Sequence, residues 1–198
     1  MGLIIDFANG QTPLTDEERE GLLIPTVSNR GELDEFEQLN VELAVEWSLG
    51  RKLKTGRILS EAFILELHRR MYDQVWRWAG NYRTTNKNIG VDKYQIPTEV
   101  RKLIDDAKYW YENDTFSPDE LAIRFKHRLV SIHPFANGNG RHSRLLADVI
   151  ASHIYHQPVF TWGQAGLVKP GEARRSYIAA FHAADKGDVA PLLDFARP

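Results

Sequence analysis

Apolar residues recur every three or four positions along most of this chain, and capping residues and prolines punctuate the segments they mark. Thr15-Asp16-Glu17-Glu18 has capping-box spacing and predicts a short helix ending before Pro25. Leu33, Phe36, Leu39, Leu43 and Trp47 share one face, which predicts a long helix from about Glu32 to Leu49 with that face inward and Gly50 as its stop. Phe63, Leu67 and Met71 mark a helix from about Ser60 to Trp76, with His68 among them as a core or supporting histidine. Thr98 caps a helix to about Tyr111. Ser117-Pro118-Asp119-Glu120 is a further capping box with proline at the first helical position, and Leu121, Phe125, Leu129 and Ile132 form the buried stripe of the helix it launches. Pro134 ends that helix at His133.

The helical period breaks between the second and third of these long segments. Tyr82, Thr84, Ile89, Val91, Tyr94 and Ile96 favour strands, while Asn86 to Asn88 and Gly90 to Lys93 supply turn residues. This predicts a polar, exposed β-hairpin over Thr84 to Pro97 whose edge can recruit another strand, rooted near Trp76 and Trp78. The expected fold is therefore mainly α, a helical bundle with one small β-hairpin.

Composition narrows the function classes. Lys plus Arg number 25 against 27 Asp plus Glu, for a net charge of −2, which argues against nonspecific nucleic-acid binding. With no cysteine, disulfides, zinc-thiolate sites and cysteine nucleophiles are excluded. The start, Met1 to Asp6, lacks a basic region and a long apolar run, and no segment approaches the roughly 20 apolar residues that span a bilayer, so a cytoplasmic location and no membrane partner are expected. His153 and His156, three apart without a third ligand, read as a surface pair, and His142 reads as solvent-facing or near a ligand.

The chemistry concentrates between His133 and Arg144. Gly138 and Gly140 bracket Asn139, so the backbone can take positive φ and turn several N–H groups toward one point. Leu145, Leu146, Val149, Ile150 and Ile154 follow at helical spacing, so this turn opens a helix whose positive end favours an anion. Arg141 and Arg144, three apart, can grip phosphate oxygens with charge-assisted bonds. His133, just before the cradle, is a candidate proton acceptor, at a helix C-terminus whose dipole favours its protonation.

The run His133-Pro134-Phe135-Ala136-Asn137-Gly138-Asn139-Gly140-Arg141-His142-Ser143-Arg144 resembles the signature of the Fic (filamentation induced by cAMP) family. That signature reads His, any, Phe, any, Asp or Glu, Gly, Asn, Gly, Arg, any, any, Arg, and seven of its eight fixed positions are present. Trp78 to Arg83 followed by Thr84 to Pro97 is similar to the family's flap, and Tyr177 to Phe181, Gly187-Asp188 and Pro191 to Leu193 resemble its closing helices. The resemblance covers about residues 59 to 195, which divides the chain into an N-terminal helical extension, 1–58, and a Fic domain, 59–198.

It implies a protein adenylyltransferase that moves AMP from ATP to a hydroxyl side chain of a target protein held as an extended strand at Thr84 to Pro97. His133 would deprotonate the hydroxyl, Phe135 would pin the loop, backbone amides of Gly138, Asn139 and Gly140 would hold phosphates, and Arg141 and Arg144 would neutralise the departing pyrophosphate. A toxin-like role with an inhibitory partner also falls within the family's range.

One position departs. The family's acidic magnesium ligand is Asn137 here, whose neutral carbonyl is a weaker ligand for a hard cation. Around Gly31 to Gln38 the chain is also similar to a bacterial subgroup called mobile mystery protein B, which shares that Asn. Two alternatives follow: a weakened nucleotide-binding module that docks a partner at the flap, or a transferase using another phosphate-containing donor. Ser28 to Leu33 partly matches the family's inhibitory pattern, so Glu32 is read either as a carboxylate that blocks Arg144 or as first-turn helix charge.

Overall fold

The computed structural model describes residues 15–163 and 170–198. Helix α1 (Asp16–Arg19) opens on the expected capping box, with the Glu18 carboxylate accepting from Thr15 N–H at 2.8 Å. Helix α2 (Arg30–Leu49) starts two residues before the predicted Glu32, because Asn29 caps it: its side-chain oxygen accepts from Glu32 N–H at 3.1 Å. After the single turn α3 (Thr55–Ile58), Ser60 caps α4 (Glu61–Tyr72). The predicted continuation of α4 to Trp76 is lost to an antiparallel bridge between Leu22 and Trp76, in which Leu23 N–H donates to the Val75 carbonyl at 2.9 Å and Arg77 N–H to the Gly21 carbonyl at 2.8 Å.

Helices α5 (Ile96–Glu112) and α6 (Pro118–Ile132) follow, α6 within the predicted bounds and capped by Ser117. Helix α7 (Asn139–Val149) starts at the glycine-flanked turn and runs into one π turn, Ile150–Ile154. Helices α8 (Pro170–Asp185) and α9 (Ala190–Ala196) close the chain, and α9 packs on α6 and α8. The core is one cluster to which α4 brings Phe63, Leu67 and Met71, α5 Val100 and Leu103, α6 Leu121, Phe125 and Leu129, and α7 Leu146 and Val149. Removing these side chains from water is the main force holding the four helices together. Among the described residues no helix is long and apolar enough to cross a membrane.

Two expectations change here. Helix α2 buries only the ends of its apolar stripe: Leu33 is in the core and Trp47 packs half-buried against it, but Phe36, Leu39 and Leu43 are 42%, 56% and 46% exposed. Beside Leu33 the inward face is made of Glu37, Asn40, Ala44 and Ser48, small or polar residues that let α2 approach α4 closely. The β-hairpin is the second change, since Thr84 to Pro97 carries no strand among the described residues. Arg83, rather than a ladder, organises the segment. Its guanidinium donates to the carbonyls of Thr85 (2.7 Å) and Val91, and the Asn86 side chain accepts from Lys93 N–H (2.8 Å) and donates to Asp92 (2.8 Å). Ile96 and Pro97 belong to α5, which begins ahead of the predicted cap at Thr98.

Candidate active site

Helix α6 delivers His133 as its C-terminal cap, in the left-handed conformation at φ 55° and ψ 59°. A non-glycine residue held there is strained and needs outside support. The support comes from the flap segment. Arg83 Nε–H donates to the His133 carbonyl at 2.7 Å, Arg83 N–H to the Pro134 carbonyl at 2.9 Å and Val91 N–H to the Ile132 carbonyl at 3.2 Å. Gly90 lies against His133 so closely that a Cβ added to it would stand 2.5 Å from the His133 Cβ. Replacing Arg83 with Met, which fills similar space without donors, is expected to cost about 2–4 kcal/mol through the orphaned carbonyls. Hydrogen exchange checks it: the Val91 amide should lose protection before the core helices do.

The imidazole of His133 is buried, and burial pushes its pKa down to about 4, helped by the Arg83 guanidinium and the Lys87 ammonium and opposed by a bond with the Val130 backbone. The protonating influence expected from the helix end is thus overridden by desolvation. At neutral pH the ring is uncharged and able to take a proton.

The turn that follows is built from both sides. Phe135 is buried and stacks on His68 with ring centroids 3.6 Å apart. The Asn139 side chain brackets Phe135, accepting from its N–H at 3.0 Å and donating to its carbonyl at 2.9 Å. Gly138, at φ +77°, packs onto the Tyr72 ring, and α7 begins at Asn139, so the N–H groups of its first turn lack helical partners. His68 supports the loop from behind. It accepts from Gly80 N–H at Nδ1 (3.0 Å), which fixes Nε2 as the donor to the Asn137 carbonyl (3.0 Å).

One cavity of about 820 Å³ gathers every site residue that the sequence singled out: His133, Asn137, Gly138, Asn139, Gly140, Arg141 and Arg144. Gly90 and Ile89 form its flap side, and Tyr177, Ile178 and Phe181 of α8 its opposite wall. Lys126 ties that wall to α6. Fully buried, it donates to the Tyr177 hydroxyl at 2.6 Å, and burial with the nearby Arg144 lowers its pKa to about 7.

Several placements correct the sequence reading. His142 is neither solvent-facing nor in the cavity: it is fully buried, bonds the Ile64 carbonyl through Nε2 at 3.0 Å and meets Phe135 edge-on. His153 is half-buried and bonds the Ser48 carbonyl at 2.8 Å, while His156 is exposed. Glu32 does not reach Arg144. Its carboxylate accepts from Ser28 N–H at 2.8 Å, and the Ser28 contacts hold it below the usual carboxylate range. Asn137 turns its side-chain oxygen to Gly138 N–H at 2.6 Å, which occupies one of the amides expected to face phosphate.

Other groups escaped the sequence reading. Arg83 sat in a segment read for strand propensity. Glu18 was read only as a cap, yet it accepts from Thr85 Oγ1 at 2.9 Å and pairs with Lys87, joining α1 to the flap. Glu37 carried no role in the sequence reading, yet on the inner face of α2 it accepts from Trp76 and from Arg141. The polar set Glu37, Asn40 and Ser48 at helical spacing was the only signal for that face.

The chain is similar to known proteins. The model of the Fic/DOC family matches residues 58–151. Protein adenylyltransferase fic-1 of Caenorhabditis elegans is 34% identical over 138 residues, 67% of this chain and 25% of the relative. Protein adenylyltransferase Fic of Drosophila grimshawi is 29% identical over 171 residues, 82% of this chain and 33% of the relative. The chain therefore spans a quarter to a third of the length of these relatives. The solved Fic-1 of C. elegans superposes with a TM-score of 0.68 at 27% identity, covering 89% of this chain and 51% of that one. BepC of Bartonella tribocorum, a VirB-translocated effector solved with AMPPNP bound, shares the fold at a TM-score of 0.62 and 19% identity, over 91% of this chain and 96% of its own. Signature, helical frame and likenesses agree, and the chain belongs to the Fic family.

Proposed function

We propose that this chain is a protein adenylyltransferase, in which residues 1–58 form an extension to the transferring domain. The observation that carries the reading is a neutral, buried His133 sharing one cavity with a helix N-terminus and two arginines. ATP lies with its phosphates against the first turn of α7 and the guanidiniums of Arg141 and Arg144. A target protein lies along residues 84–97, where Ile89 and Tyr94 are exposed. His133 takes the proton of a target hydroxyl as its oxygen attacks the α-phosphorus. The bond from the α-phosphorus to the bridging oxygen breaks, and pyrophosphate leaves with its charge met by prearranged donors.

The donor set does not fit a protein-held magnesium. Asn137 offers a neutral amide whose oxygen is already engaged, and among the described residues no group of three or more His, Asp or Glu could hold an ion. The same Asn137 contact favours a second reading, a phosphate-binding module that docks a partner at the flap or uses another phosphate-containing donor. Labelling ATP at the α- or the γ-phosphate separates them. Adenylyl transfer puts only the α-label on protein, whereas γ-label on protein or ATP binding without any transfer supports the second reading.

A further inference from the structure

Glu37 is a buried carboxylate that nothing in the proposed transfer uses. Both of its oxygens are committed: Oε1 accepts from Trp76 Nε1–H at 2.7 Å, and Oε2 from the Arg141 guanidinium at 2.5 Å. A carboxylate is costly to bury unless paired, so this contact between α2 and α7 is a built one.

Two roles are open to a carboxylate on a phosphate-facing arginine, and the geometry separates them. To mask Arg141, Glu37 would have to stand in the cavity. Arg141 lines that cavity and Glu37 does not, so the carboxylate meets the guanidinium from the core side. A guanidinium carries five N–H donors in one plane, and a bond to Glu37 leaves others for a ligand. The Tyr72 ring, 5.2 Å from the Arg141 Cζ, adds a second contact to the same side chain. Asp34, at the cavity wall, also acts on Arg141 electrostatically. Arg144 has no such brace: it makes no ion pair among the described residues.

We propose that Glu37 is a positioning residue, with Trp76 fixing the carboxylate and the carboxylate fixing the Arg141 guanidinium in the orientation that receives a nucleotide phosphate. The inference rests on the nucleotide reading above. It assigns the N-terminal helix α2 a part in substrate binding, separate from the Glu32 position.

Calorimetry of ATP binding by the full chain tests it as a cycle of wild type, Glu37→Gln, Arg141→Ala and the double variant. Glu37→Gln is expected to weaken binding by about 10- to 100-fold, the scale of loss when a binding group is misplaced. In the Arg141→Ala background the same change should have no further effect, because nothing is left to position. If Glu37→Gln does not fold, Glu37→Asp takes its place; it keeps the charge but withdraws it by one methylene, and a several-fold loss confined to the Arg141 background is expected. Tighter binding or faster transfer would overturn the proposal in favour of masking, and an equal loss in both backgrounds would overturn it in favour of a merely structural role. Unchanged affinity in Glu37→Gln overturns this inference alone, whereas no ATP binding by the wild type overturns it together with the nucleotide reading.

Discussion

Gly138→Ala is expected to lower the melting temperature by about 10 °C and to abolish nucleotide binding. A Cβ at this position would stand 2.6 Å from two ring carbons and the hydroxyl oxygen of Tyr72, and the backbone sits at φ +77°. The left-handed conformation costs a residue with a Cβ about 1–2 kcal/mol. Forcing the ring aside costs about 1–3 kcal/mol more as overpacking. Tyr72 has little room to yield, because it is buried and its ring centroid lies 4.9 Å from that of His68. Gly140→Ala is the control. A Cβ there meets nothing within 4 Å, so its melting temperature should stay within about 2 °C of the wild type. Equal shifts in the two variants would show that the turn is not held against Tyr72.

The second large effect is acid destabilisation well above the ordinary carboxylate range. Burial lowers the pKa of His133 to about 4, that of His142 to about 3 and that of His68 well below 6.5. In the unfolded chain all three return to about 6.5 and bind protons that the folded state refuses. The unfolded state thus holds more protons over this window, so stability rises with pH. It is fully present above about pH 6.5 and is lost as pH falls toward the folded values. Asp148 works the other way: burial raises it to about 6, so between pH 6 and 4 the folded state binds a proton that the unfolded chain releases. His133 and His142 against the Asp148 carboxyl leave a net loss on the order of 4 kcal/mol between pH 6.5 and 4, to which His68 adds in the same direction, a loss comparable to the whole stability of a small domain. Urea midpoints at pH 7.5, 6.0, 5.0 and 4.5 should fall steadily, and His142→Asn should flatten the slope. A midpoint constant from pH 7 to pH 5 would contradict the buried neutral histidines.

What was legible in the sequence follows the range of the interactions involved. Thr15, Ser60 and Ser117 cap their helices within a few residues, and local chemistry of that kind reads directly from spacing. The motif from His133 to Arg144 was equally legible, because one turn and one helix end place all of it. Long-range contacts were not. Helix α2 turns Leu39 and Leu43 outward because its inner face meets Trp76 and Arg141, 39 and 104 residues away in sequence, through Glu37. His142 was misplaced for the same reason: its partner, the Ile64 carbonyl, lies on α4. The flap shows a side chain overruling backbone propensity. Tyr82, Thr84 and Val91 favour strands, yet Arg83 takes the carbonyls that a ladder would need.

The most direct test of adenylyl transfer is incubation of the purified chain with magnesium and ATP labelled at the α-phosphate, alone and with cell extract, beside His133→Ala. Label should appear on protein with the wild type and fall by about 10²- to 10⁴-fold without the base, while ATP binding persists. Equal labelling by His133→Ala, or a wild type that binds ATP and labels nothing, would contradict it.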